Sequence, residues 1–163
     1  FDYVFSASIY PCRVSIHNSI FNDFTFPKYT NMGEDTILWL EIASKYPMHQ
    51  IHEKTVNYYQ HEGNSVNKRY NPNKKIIKGF KSFKKNNASV YNKISYKLKQ
   101  KKYSELYYGI TVSNIINSNR LLSIYYLLIS LIYDLKRKKR HKFLLIYKLI
   151  TFQKMNNILK IIG

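Results

Sequence analysis

Glu34 and Asp35 stand side by side at the mouth of an apolar run, Gly33-Glu34-Asp35-Thr36-Ile37-Leu38-Trp39-Leu40-Glu41-Ile42-Ala43. Carboxylates are costly to place beside a core, so a pair at that junction needs a reason. Two reasons compete. The free N–H groups and macrodipole of a helix N-terminus favour a carboxylate, which makes helix capping a sufficient explanation. The same geometry also suits a general base, because it aims the carboxylate out of the helix end. The pair by itself leaves both open.

Other residue types here have chemical potential and plainer readings. Trp39 lies one helical turn beyond the pair, where a core aromatic is the simpler reading and contact with substrate the sharper one. Arg13 and His17 sit on a strand-like segment, and a half-exposed strand carries such residues routinely. His61 falls in the loop His61-Glu62-Gly63-Asn64-Ser65, where a lone histidine is ordinarily solvated. His49, His52 and Glu53 superficially resemble a metal set. On a strand, however, positions 49 and 52 face opposite sides, and no cysteine or further histidine joins them at ligand spacing.

The elements that must position these residues are readable from pattern. Residues 3–10 (YVFSASIY) are β-branched and aromatic and end at Pro11, which predicts a strand. Residues 13–17 alternate as a second short strand would. Residues 18–32 hold turn formers around Phe21, Phe24 and Phe26, a loop with aromatic anchors. A helix runs from Glu34 to about Tyr46 and stops before Pro47. Its apolar positions leave little polar face, so it is expected to be buried on most sides. Residues 48–53 and 55–60 read as strands leading into the His61 loop.

From Pro72 the character changes. Ile76, Ile77, Phe80 and Phe83 keep helical spacing among six lysines between 74 and 85, an amphipathic helix despite Gly79. Residues 87–102 stay basic and weakly periodic, and helices are expected over 103–117, 120–135 and 143–152. The apolar run 121–133 would rise only about 20 Å as a helix, short of the roughly 30 Å hydrocarbon core, so it is not a transmembrane span.

Charge divides the chain the same way. Residues 1–66 carry four basic and seven acidic side chains, whereas residues 67–163 carry 23 basic and two acidic ones. The first part reads as a segment holding a site, and the second as a basic helical appendage facing phosphate, whether of lipid or nucleic acid. Cys12 is the only cysteine, so an intramolecular disulfide is impossible and a reducing compartment is expected. The start has neither a signal-peptide pattern nor an initiator Met, and is expected to lie inside a longer protein. The abundance of Tyr, Asn, Lys and Ile reads as coding bias.

The order Arg13…Ile16-His17…Phe21…Gly33-Glu34-Asp35-Thr36-x-Leu38-Trp39-Leu40-x-Ile42-Ala43-x-Lys45-Tyr46-Pro47…Thr55…Tyr58/Tyr59…His61-Glu62-Gly63-Asn64-Ser65-Val66 resembles the second half of family 2 glycosyltransferases of the GT-A fold. The resemblance covers roughly residues 5–66. It implies an α/β fold class: a partial GT-A (nucleotide-diphospho-sugar transferase) domain over residues 1–70, followed by an all-α basic extension over 71–163. It also implies inverting transfer of a sugar from a nucleotide-diphosphate donor to an acceptor hydroxyl, in polysaccharide or glycolipid biosynthesis.

Carried over residue by residue, Asp35 is the base and Glu34 the neighbour that orients it or binds acceptor. His61 helps hold a divalent cation, Mn²⁺ or Mg²⁺, on the donor diphosphate. Asn64 and Ser65 bind phosphate, and Arg13 and His17 line the acceptor side. The family's Asp-x-Asp ligand motif is absent, since Asp2, Asp23, Asp35 and Asp134 are the only aspartates, and no glycine-rich phosphate loop occurs. The nucleotide-binding half is therefore expected to be missing, and the chain alone is expected to bind nucleotide sugar weakly or not at all.

For the tail, two apolar helices bracketing Lys136-Arg137-Lys138-Lys139-Arg140-His141-Lys142 fit docking at an anionic membrane surface through 121–152. Packing on the domain is the plainer alternative. The rival to an enzyme is a non-catalytic remnant serving as a basic membrane-surface or nucleic-acid-binding module. No RNP-type, zinc-finger or helix-turn-helix signature supports nucleic acid. The expected location is cytoplasmic, peripheral on the inner face of a membrane.

Overall fold

In the computed structural model the described residues are 1–6, 9, 11, 14–51, 57, 59, 72–133, 145, 146 and 149. The chain divides into two compact units, Phe1–Leu98 and Lys99–Gly163. Among the described residues every element is a helix and there is no strand.

The first unit is built around α2 (Glu34–Ala43). Its sequence is apolar all round, and Ile37, Leu38, Trp39, Leu40 and Ile42 are all buried. Helix α1 (Asp2–Ser6) packs on it, as does α3 (Asn73–Asn86). Phe5 of α1 meets Phe80 of α3 with ring centroids 5.3 Å apart. Helix α3 turns Ile77, Phe80 and Phe83 inward and exposes Lys74, Lys75, Lys78, Lys81, Lys84 and Lys85, as its spacing predicts.

Helix α4 (Ala88–Lys93) follows, with Asn87 as its cap accepting from the Val90 N–H at 3.3 Å. The Asn87 amide also donates to Glu41 Oε1 at 3.0 Å, and Lys93 Nζ donates to the Ser44 carbonyl at 3.1 Å. A cation at the C-terminal end of α2 is well placed against the helix dipole. The Ser44 hydroxyl donates to the Glu41 carbonyl at 2.7 Å, and α2 ends at Ala43, three residues short of the expected end at Tyr46, with a turn leading to Pro47.

In the second unit, α5 (Tyr96–Ile116, which begins three residues before the boundary) pairs with α6 (Arg120–Tyr133). The turn between them uses Ser118 at φ 58°, a left-handed residue that ends α5. Ser104 and Ser130 donate reciprocally, each hydroxyl to the other's carbonyl at 2.9 Å. Tyr103 and Tyr107 of α5 stack on Tyr133, and Tyr107 also stacks on Tyr126. These pairings make the two helices antiparallel. Ile115, Leu127, Leu145 and Leu149 form a fully buried cluster. No helix among the described residues is long and apolar enough to cross a membrane.

The expected α/β GT-A architecture is therefore corrected. Of the predicted strand over 3–10, residues 3–6 belong to the short helix α1 and Ile9 to no regular element, and residues 14–17 have none. Residues 48–51 likewise form no strand, and the segments around 52–56 and 60–71 lie outside the described residues. The physical reason is that strand preference reports fit to a neighbouring pleated surface rather than an intrinsic backbone choice. With no partner strand to take the N–H and C=O groups, a local turn satisfies them: the Val4 N–H bonds the Phe1 carbonyl at 3.1 Å.

Candidate active site at the start of α2

The acid pair occupies the first two positions of α2, and Gly33 is its cap. Gly33 adopts φ 80°, ψ 12°, a left-handed conformation open to glycine at little cost, and it supplies no side-chain cap. A methyl built on it would meet Ile76 Cγ2 at an ordinary 3.7 Å, so its constraint is backbone angle rather than space. Because the cap has no side chain, capping in the strict sense is not what either acid does.

Asp35 instead holds the next residue. The Thr36 N–H donates to Asp35 Oδ1 at 2.6 Å, with the Thr36 hydroxyl at 3.4 Å from the same oxygen. One of the helix's orphan N–H groups is thereby answered, and the carboxylate is oriented. Glu34 differs. Its Oε2 is buried and has no hydrogen-bond partner, alone in that respect among the described side chains. A buried carboxylate oxygen without a donor is a costly arrangement, which makes it a marker for a ligand donor.

The loop that delivers the pair is fixed from below. Thr30 folds back on itself, its hydroxyl donating to the Met32 carbonyl at 2.9 Å and accepting from the Met32 N–H at 3.3 Å. This turn sits on Gly79 of α3, where an added Cβ would lie 2.6 Å from Thr30 Oγ1 and 2.8 Å from the Met32 carbonyl. Glycine in the middle of α3 is thus the notch that admits the loop. Thr36, Thr30 and Gly79 are supporting residues that pattern reading passes over. The signal for Gly79 was its presence in a helix interior, a choice that needs a packing reason.

The remaining candidates fall as follows. Trp39 is 3% exposed, donates its indole N–H to the Ile9 carbonyl at 3.2 Å and meets Phe26 edge-on at 6.3 Å. That is the placement of a core aromatic. His17 is exposed and caps the 3-10 helix Asn18–Asn22, its Nδ1 accepting from the Ser19 N–H at 3.4 Å and lying 2.8 Å from the Ser19 hydroxyl. Of the aromatic anchors, Phe24 is buried against Tyr46, whereas Phe21 and Phe26 are exposed. Arg13, His61, Asn64 and Ser65 lie outside the described residues, as do His52 and Glu53. Among the described residues no three His, Cys, Asp or Glu side chains come together, so these residues assemble no donor set for a divalent cation. No family model, curated protein or solved structure matches the chain.

Proposed function

We propose that this chain carries the catalytic base of an inverting glycosyl transfer, with Asp35 as the base and Glu34 as the residue that orients the acceptor. The proposal concerns the reaction and the start of α2, not an α/β scaffold. The observation that supports it most is Glu34 Oε2, buried and without a donor, beside a carboxylate already oriented by Thr36. The unpartnered oxygen leaves Glu34 with acceptor capacity that no described residue uses, the property of a residue that engages an acceptor hydroxyl.

The step is a single displacement. Asp35 accepts the proton of the acceptor hydroxyl as that oxygen attacks the anomeric carbon. The new C–O bond forms as the bond to the nucleoside diphosphate breaks, and the diphosphate leaves with the electron pair. One displacement inverts the centre and needs one base on the face opposite the leaving group. The helix N-terminus favours the negative charge from which the base starts.

The test is Asp35→Asn in the full-length protein, assayed by release of nucleoside diphosphate in the presence of acceptor. Turnover is expected to fall by about 10²- to 10⁴-fold, the usual contribution of a positioned base, with donor affinity retained. Turnover within a few-fold of the parent would place the base elsewhere.

A further inference from the structure

Helix α6 is built the wrong way round for a helix meant to face water. Its inward face is Ser123, Leu127, Ser130 and Leu131, all buried. Its outward face is Leu121, 84% exposed, with Leu122, Tyr125, Leu128 and Ile132, the last 70% exposed. Scattered exposed leucines are ordinary, but five large apolar residues on one side of a 14-residue helix make a patch. Positions 121, 125, 128 and 132 keep helical spacing and align as a stripe about 16 Å long. The inner side is instead joined to α5 through the buried Ser104–Ser130 hydrogen bonds. Small hydroxyl residues between helices and large apolar ones outside is the arrangement of helices that meet lipid.

Charge decides what covers this stripe. Residues 99–163 carry thirteen basic and two acidic side chains, and α6 itself contains no acidic residue. Two copies meeting through this face would bring two strongly positive units together, which opposes self-association. An anionic surface has the complementary sign. The sequence that follows Tyr133 continues the excess, with six lysines and arginines between 136 and 142. We infer that the outer face of α6 docks on an anionic lipid surface, with Leu121, Tyr125, Leu128 and Ile132 entering the interface and the net positive charge of residues 99–163 drawing it to lipid phosphates. The helix lies in the plane of the interface and does not span it. This inference is independent of the catalytic proposal.

The experiment is co-sedimentation of the full chain with vesicles of phosphatidylcholine mixed with phosphatidylglycerol, against phosphatidylcholine alone. Binding is expected to the mixed vesicles, weakening severalfold as salt is raised and at least roughly tenfold on neutral vesicles. The triple variant Leu121→Ser/Leu128→Ser/Ile132→Ser, at exposed positions, is expected to bind the mixed vesicles at least roughly tenfold more weakly with unchanged helical circular dichroism. Equal binding by parent and variant would overturn the inference. So would a dimer in solution that the triple variant abolishes while neither protein binds vesicles. Tyr125→Trp provides a readout that does not depend on a loss. Its emission is expected to shift to the blue on adding mixed vesicles, and an unshifted spectrum contradicts the docking.

Discussion

At the scale of single residues, Gly33 sets the direction in which the acid pair leaves its loop. At φ 80° an alanine carries a steric penalty that glycine does not. Gly33→Ala is therefore expected to destabilise the fold by about 1 kcal/mol in urea denaturation, although the space around it would admit a methyl. Tyr29 gives a second residue-level expectation. Burial, reinforced by the Glu41 carboxylate, pushes its hydroxyl up to about 12. A group whose pKa is raised on folding contributes stability that is fully present below its unfolded value, about 10, and is lost as pH rises toward the folded one. Tyr29→Phe is expected to flatten the decline in thermal midpoint between about pH 10 and 12. An unchanged slope would assign the decline to other groups, such as Tyr107 and Tyr108, whose hydroxyls burial also raises. What was legible in the sequence at this scale is the acid pair at a helix mouth, since charge followed by an uninterrupted apolar run admits few other placements. The orphaned oxygen of Glu34 was not legible, because burial of one atom depends on how distant parts of the chain pack around it.

At the scale of elements, Gly79 reverses an ordinary rule. Glycine to alanine inside a helix usually stabilises by roughly 0.5–1 kcal/mol. Here the added carbon would meet Thr30 Oγ1 at 2.6 Å and backbone at 2.8 Å, so Gly79→Ala is expected to destabilise by about 1–3 kcal/mol. Under the proposed function it also lowers turnover, because the displaced loop leads directly into Gly33. Parallel denaturation and rate measurements check both. The helices α2, α3 and α6 were readable because their apolar positions either keep a 3.6-residue period or fill the whole surface. Residues 3–6 and 14–17 were not, because a β-rich composition does not supply a neighbouring strand. His17 shows the same limit: read as a strand residue facing an acceptor, it is the cap of a 3-10 turn. In α6 the spacing gave the apolar positions, but not which of them would be left outside.

At the scale of the whole molecule, the chain divides by charge as well as by packing. The change of composition falls near residue 67, whereas the compact units meet at Leu98 and Lys99. The lysine-rich α3 therefore belongs to the same unit as the acid pair, and its buried side holds the loop that presents it. Part of the basic half of the sequence thus packs in the same compact unit as the acid pair. In the proposed function Asp35 acts as a base and not only as a helix-end charge. Formate rescue of Asp35→Ala in the full-length protein tests this most directly, because a small external carboxylate can replace a missing base but not a missing structural contact. Asp35→Ala is expected to lose nucleoside diphosphate release with acceptor, and formate is expected to restore a measurable share of it. Parent-level turnover in Asp35→Ala without formate would contradict that role for Asp35.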